Sequence, residues 1–319
     1  MTTLLTQGAV PVIDIGPYLR AEPGAERRVP EAVRVACEQI GFLIINGHGV
    51  PAEQIERTGA IARAFFDLPD EEKQQLKLTP AGAGYSPLQG ERLAATLGEQ
   101  APADLKESLN VGSDFEAVPW PARPAELRAA CIEYFYSMNR LAGDLMRIFA
   151  TALKLPAEYF AGKIDRSSSF LRMINYPAPA REPEPGQLRA GAHTDYGTLT
   201  ILRSDDTRVA GGLQVRNRAG DWLDVQTPPG AFVVNLGDMM MRWTNDRWIS
   251  TLHRVVNPPA ELRPASRRQS LVFFHNPNPD ALVSCLPGCC GPGNPPRYAD
   301  ITAGEFIAQK SRQAYGPGS

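Results

Sequence analysis

Residues 191–202 read GAHTDYGTLTIL and place His193, one of only four histidines in a chain of 319 residues, two positions before Asp195. In a β-strand, side chains at i and i+2 point to the same face. On a strand, such a pair would aim an imidazole and a carboxylate into one space, as two neighbouring positions on one metal. His253, 58 positions beyond Asp195 in WISTLHRVVNP, is the natural third ligand, because Ile249, Thr251, His253 and Val255 alternate onto one face. Two histidines and a carboxylate on one side of a metal leave about three of six octahedral positions open, the arrangement that suits oxygen chemistry at non-haem Fe(II). A His-x-Asp pair carries little weight alone, since most strand histidines are simply hydrogen-bonded.

Fifteen positions after His253 lies Arg268, in the run RRQSLVFFHNPNP, where Arg268, Ser270, Val272 and Phe274 alternate onto one face. Arg267 and Arg268 are adjacent, so only one can point inward. An arginine facing an apolar interior is costly unless it meets an anion. A guanidinium fork with a hydroxyl two residues on suits a carboxylate. The bland alternative is a structural salt bridge, which the preceding metal triad makes less economical.

The elements that must hold these residues fall into two textures. The first half reads mostly helical: residues 30–40 with Pro30 in the first turn, 51–66, and a long segment 124–154. In that last segment Leu127, Cys131, Phe135, Met138, Leu141, Leu145 and Ile148 recur at the helical period. From about residue 168 short β-rich runs alternate with turn residues, as in a sandwich or barrel. They are FLRMINY, TLTIL, GLQV, WLDV, AFVVNL, WISTLHRVV and SLVFF. VPVIDIG at 10–16 is expected at a sheet edge, and a last helix over 302–315. The expectation is one unit: a mostly helical part with an edge strand over 1–165, a β core over 166–290, and a closing loop and helix over 291–319.

Composition restricts partners. The chain is 43% hydrophobic and 21% charged, with a net charge of −2 and no dense basic patch, which disfavours nucleic acid. It has no apolar run of about 18 residues, so no membrane span is expected, and MTTLLTQGAVPVIDIG lacks a signal-peptide pattern. Five cysteines, an odd number, fit a reducing cytoplasm better than a disulfide framework. Cys285, Cys289 and Cys290 in CLPGCC lack the paired spacing of a zinc finger and read as a surface loop.

The order HTD, TLHRVVNP, RxS and FFHNP resembles the isopenicillin N synthase-like family of Fe(II)/2-oxoglutarate oxygenases. The likeness extends through GFLIINGHGV, FFDLPDEEK, GYSPLQGE, LKESLNVG, LRMINYP, NLGDMMMRWTND and ITAGEF in the same order. It implies a mainly β fold with supporting helices, a double-stranded β-helix (jelly-roll) core. It also implies Fe(II) and O2, with 2-oxoglutarate as co-substrate. By position, His193, Asp195 and His253 match the iron ligands, Arg268 and Ser270 the pair holding the distal carboxylate of 2-oxoglutarate, and Tyr176 a tyrosine contacting it. Many members carry Asn where this chain has Ile174. Phe274, Tyr196, Tyr85 and Trp243 are candidate substrate contacts, each with a bland reading as an ordinary core aromatic. His48 matches a family turn and His275 alternates away from Arg268, so both are left out of the site. The resemblance implies decarboxylation to succinate and CO2 and oxidation, by default hydroxylation, of a C–H bond in a small metabolite of the secondary kind. Two rivals remain: a family oxidase that places substrate on Arg268 and Ser270 without 2-oxoglutarate, and a non-catalytic jelly-roll that only binds a ligand.

Overall fold

A computed structural model describes residues 9–98, 100–179, 181–205 and 212–315. Its strands are β1 Val12–Asp14, β2 Phe42–Asn46, β3 Gly84–Ser86, β4 Glu107–Gly112, β5 Phe170–Tyr176, β6 Ala190–His193 and β7 Leu199–Ser204. There follow β8 Leu213–Arg216, β9 Trp222–Asp224, β10 Phe232–Leu236, β11 His253–Val255 and β12 Arg268–His275, and then a small pair, β13 Leu282–Val283 and β14 Ile301–Thr302. The helices are α1 Gly16–Leu19, α2 Ala25–Gln39, α3 Ala52–Phe66, α4 Asp70–Lys73, α5 Leu127–Ala152, α6 Ala161–Ile164, α7 Asp238–Trp243 and α8 Ala303–Tyr315.

Eight strands form one sheet in the order β1-β2-β10-β7-β12-β5-β4-β3, and four form a second, β6-β11-β8-β9. Together they make the jelly-roll. Alternation sorts the side chains of the large sheet into two layers. Leu171, Met173, Leu199, Ile201, Val234, Leu271 and Phe273 face the helices and share one core with them. The opposite set faces the small sheet: Ile174, Tyr176 and Val272 pack with Ala190 and Val255, while Phe42, Ile44 and Val233 pack with Leu213 and Val215. The site lies in this second layer. Helices α2 and α3 pack on α5, whose seven predicted stripe residues are all buried. The helical layer thereby backs the sheet and keeps water from that side.

Several expectations need correction. Pro30 lies inside α2, not in its first turn, because Gly24 in a left-handed conformation starts the helix earlier. The first half also supplies β3 and β4 to the large sheet; β3 is too short to show a period, and the alternation of Ser108 and Asn110 with Leu109 and Val111 in β4 was passed over. The run WISTLHRVV is a strand only over His253–Val255, since Thr251 instead bonds the Ile40 carbonyl. CLPGCC is not simply surface loop: Leu286 and Cys289 are buried, and the Leu286 N–H donates to the Trp243 carbonyl.

Candidate metal centre

His193 ends β6, His253 begins β11, and the two are cross-strand partners. Asp195 lies beyond the strand end, in the turn before β7. Turn geometry, not strand alternation, therefore delivers the carboxylate. Two glycines make this turn possible. A Cβ on Gly197 would meet Asn276 Oδ1 at 2.5 Å, and one on Gly237 would meet the Gly197 carbonyl oxygen at 2.2 Å. The Asp238 N–H then donates to the Asp195 carbonyl at 2.7 Å, fixing the turn on α7.

One ligand atom from each of His193, Asp195 and His253 lies within 4.8 Å of the others, the one such cluster of three donors found among the described residues. Each imidazole is oriented by its Nδ1, which donates to the Gly191 carbonyl at 2.8 Å in His193 and to the Thr251 carbonyl at 3.0 Å in His253. The partner on one nitrogen sets the tautomer, so both Nε2 lone pairs face the centre. Asp195 Oδ2 accepts from Thr200 Oγ1 at 2.5 Å and Asn235 Nδ2 at 2.7 Å. Its Oδ1 lies 3.9 Å from His193 Nε2 and 3.7 Å from His253 Nε2. Burial, reinforced by His253, lowers the His193 pKa to about 3. Burial opposes ionisation of Asp195, but the two imidazoles and the two hydrogen bonds outweigh it and lower its pKa. A neutral His193 imidazole and an ionised Asp195 carboxylate are the states in which these two groups can ligate a divalent metal.

Beside the triad, β5 and β12 carry the rest of the site in register: Tyr176 opposite Arg268, Ile174 opposite Ser270, Arg172 opposite Val272, Phe170 opposite Phe274. Arg268 points inward, with Nε donating to Ser204 Oγ at 3.0 Å and its guanidinium carbon 5.4 Å from the Tyr176 ring centroid. Arg268 Nη1 and Ser270 Oγ are buried without a hydrogen-bond partner. Buried unsatisfied donors are costly, and an incoming carboxylate would satisfy both, so these residues fit the co-substrate. Arg267 turns outward to Asp67 and Asn175. Ile174 joins the apolar layer between the sheets.

The four aromatic candidates separate. Phe274 stays on the inner face, stacked on Phe170 at 4.8 Å. Tyr196 packs against the helix-side core with Lys310 Nζ 5.5 Å from its ring centroid. Tyr85 is turned away from the triad: it pairs with Leu109, on the helix-facing side of β4, and its hydroxyl donates to Glu107. Trp243 is fully buried against Phe160, its indole N–H donating to the Leu282 carbonyl. Tyr85 falls on the helix-facing side of its short strand, and α7 carries Trp243 into the helix-side core. His48 holds its turn through the Gly230 carbonyl, and His275 bonds Thr198.

Sequence reasoning missed a charged wall. Lys106 Nζ lies 2.8 Å from Glu91 and 3.7 Å from Asp104; Arg172 reaches Glu91 at 3.3 Å and Asn110 at 2.8 Å. Burial disfavours the Glu91 charge, but Arg172 and Lys106 hold its pKa down to about 2. The wall borders the triad, for Asp104, beside Lys106, accepts from the Gly191 N–H at 2.9 Å, two residues before His193. Ser108, on β4 between Lys106 and Asn110, has a buried hydroxyl without a partner. The available signal was alternation: Arg172, Ile174 and Tyr176 share a face, as do Lys106, Ser108 and Asn110.

A jelly-roll whose inner layer carries a two-histidine, one-carboxylate triad defines the class of non-haem iron enzymes. Comparison with known proteins agrees. Residues 168–277 match the model of the 2OG-Fe(II) oxygenase superfamily, and residues 10–131 that of the non-haem dioxygenase in morphine synthesis N-terminal. The chain is 35% identical to the 2-oxoglutarate-Fe(II) type oxidoreductase hxnY of Emericella nidulans, over 97% of this chain and 91% of that one. It is 31% identical to the validamycin A dioxygenase of Streptomyces hygroscopicus, over 96% and 87%. Its structure matches that of a full-length Neurospora crassa protein in complex with alpha-KG and thymine, with a TM-score of 0.86 and 30% identity over 97% and 98% of the two chains. The chain belongs to the 2OG-Fe(II) oxygenase superfamily. It is a 2-oxoglutarate-dependent dioxygenase that uses Fe(II) at His193, Asp195 and His253, and O2. Iron supplies the oxidising chemistry there; the chain's residues bind, orient and exclude water. Neither the oxidase without 2-oxoglutarate nor the non-catalytic jelly-roll is sustained. No helix among the described residues is long and apolar enough to cross a membrane.

Proposed function

We propose that this oxygenase hydroxylates a small, polar, hydrogen-bonding metabolite. The observation that carries the reading is the wall of Glu91, Asp104, Lys106, Arg172 and Asn110, which shares the inner face with Phe274 and borders the triad. Its charges pair among themselves, so it suits a neutral or zwitterionic polar group better than a hydrocarbon, which would leave them desolvated and unrewarded. The stacked Phe170 and Phe274, with the Arg172 guanidinium 5.7 and 5.8 Å from their ring centroids, add a flat aromatic flank. The small molecules named for two relatives, thymine and validamycin A, are polar, which supports this class. In this reading Arg268, Ser270 and Tyr176 grip the distal carboxylate of 2-oxoglutarate. The reducing cytoplasm is the compartment in which its free cysteines would persist.

The test is succinate release in the presence of three panels: nucleobases and related heterocycles, polar amino acids, and apolar terpenoid or phenolic acids. Stimulation by a member of either polar panel, with an apparent KM raised at least tenfold by Arg172→Leu, is the expected result. Stimulation by the apolar panel alone, unaltered by Arg172→Leu, would defeat the reading. Anaerobic titration of the Fe(II) protein with 2-oxoglutarate tests the clamp: the visible charge-transfer band should require far more co-substrate in Arg268→Ala.

A further inference from the structure

We infer that Arg189 is a second cation of the co-substrate pocket, acting with Arg268 on the distal carboxylate and setting the preference for a dicarboxylic keto acid. The inference rests on the placement of 2-oxoglutarate at Arg268 and Ser270 and goes beyond it. Arg189 immediately precedes β6, four residues before the first iron ligand. Its side chain is among the largest fully buried ones, at 1% exposure. Its Nη2 donates to the carbonyl of Ser266 and, at 2.9 Å, to the Ser266 hydroxyl. Ser266 lies two positions before Arg268, so the bond draws the Arg189 guanidinium toward the start of β12.

Three buried donors are left without partners at this end of the barrel: Arg189 Nε, Arg268 Nη1 and Ser270 Oγ. The acidic group of this neighbourhood, Asp205, is engaged through Oδ2 by Arg63 at 2.8 Å and by the Gln269 N–H at 2.9 Å; its Oδ1 is buried but hydrogen-bonds none of the three donors. The two guanidiniums sense one another. Burial, reinforced by the Arg268 charge and opposed by Tyr176 and Asp205, lowers the Arg189 pKa to about 10. Two like charges held in a dry pocket with unsatisfied donors are unfavourable until an anion arrives. A dicarboxylate keto acid brings one; a monocarboxylate keto acid, with its single carboxylate at the metal, does not.

The competing role for Arg189 is structural, as a pin that holds the segment ending at Ser266. The two roles separate by ligand. The anaerobic Fe(II) protein is titrated with 2-oxoglutarate and with 2-oxovalerate, the same five-carbon keto acid without the distal carboxylate, following the visible band and the heat of binding. Arg189→Met should weaken 2-oxoglutarate by about ten- to a hundredfold, the scale of a lost hydrogen bond to a charged group, while 2-oxovalerate changes less than about threefold. Arg189→Lys should keep most of the discrimination. Equal weakening of both ligands, or unchanged discrimination, overturns the inference. Should Arg189→Met fold poorly, Arg268→Met tests the same point. With Arg189 alone remaining, 2-oxoglutarate should still be preferred over 2-oxovalerate by about tenfold at low ionic strength, and no residual preference overturns the inference. If wild type itself does not discriminate, the clamp of Arg268 and Ser270 falls as well. If wild type discriminates and Arg189→Met discriminates equally, only Arg189 falls.

Discussion

The carboxylate ligand is the part of the centre most open to a quantitative test. Asp195 presents Oδ1 to the metal because Oδ2 is held by Thr200 and Asn235 at 2.5 and 2.7 Å. Each is a hydrogen bond to a charged acceptor, a class that contributes about 1.5–3 kcal/mol. Loss of an outer partner of a metal ligand costs about 10- to 100-fold in metal affinity. Two effects oppose each other in Asn235→Ala. The freed carboxylate can rotate, so binding must restrict it again, which weakens the metal. The metal-free carboxylate also loses stabilisation, which makes metal binding relatively more favourable. Because Thr200 still holds Oδ2, the single variants should fall at the low end, about tenfold weaker for Asn235→Ala and for Thr200→Val. The double variant leaves Oδ2 without either partner and should lose more than the product of the two, beyond about 100-fold. The assay is anaerobic calorimetry with Fe(II), or with Co(II) as a redox-stable stand-in, on protein whose circular dichroism matches wild type. A double variant that binds within threefold of wild type, or more tightly, would refute the claim that these bonds aim the ligand oxygen.

Three further outcomes follow from placement. Glu91 has a folded pKa near 2 against an ordinary 4.5; a depressed carboxylate contributes stability that is present above pH 4.5 and lost as pH falls towards 2. By that linkage Glu91→Gln should destabilise the protein by on the order of 3 kcal/mol at pH 7, and the gap to wild type should narrow between pH 4.5 and 3 in urea titrations; a gap independent of pH would contradict the assignment. Tyr85→Phe removes a donor to Glu107 on the helix side, so it should cost about 1–2 kcal/mol of stability and leave the substrate KM within twofold, as steady-state kinetics would show. Trp243→Ala empties a packed core site and should cost about 3–5 kcal/mol, read as a lower urea midpoint, whereas a change confined to substrate KM would return Trp243 to the pocket.

What the sequence made legible was whatever obeys a short period. His193, Arg268, Ser270 and Phe274 could be aimed by alternation, and the α5 stripe by the helical repeat. Asp195 was found for an imperfect reason, since it projects from a turn whose shape depends on Gly197 and Gly237 approaching each other from distant parts of the chain. Tyr85 and Trp243 were misplaced because motif membership does not give the phase of a short strand or a six-residue helix. The charged wall was overlooked although Arg172 and Lys106 alternate inward, because a buried charge is intelligible only once its partner is seen. Glu91 lies in a loop 15 residues before Lys106 and 81 before Arg172, and no local pattern joins them.

The pairing of β5 with β12 sets out the site as a sequence of stations. Arg268 meets Tyr176 and Ser270 meets Ile174 at what we propose as the co-substrate end; Val272 meets Arg172, and Phe274 meets Phe170 at the proposed substrate end. Phe274 is also opposite Thr200, the residue that holds Asp195, so the proposed substrate end lies beside the metal ligand. At about 3.4 Å per residue, Ser270 and Phe274 are separated by roughly 14 Å along the strand, too far to touch one small molecule together. Their substitutions should therefore affect different ligands. Ser270→Ala should weaken 2-oxoglutarate several-fold in the anaerobic titration and leave the substrate KM, measured at saturating co-substrate, within twofold. Phe274→Leu, which keeps an apolar side chain but loses the stack on Phe170, should raise the substrate KM several-fold and leave the co-substrate titration unchanged. The two residues are only four positions apart on one continuous strand, so a general loosening of β12 would shift both constants in both variants. Crossed effects of that kind would show that the strand transmits strain along its length and does not separate the two ends of the pocket.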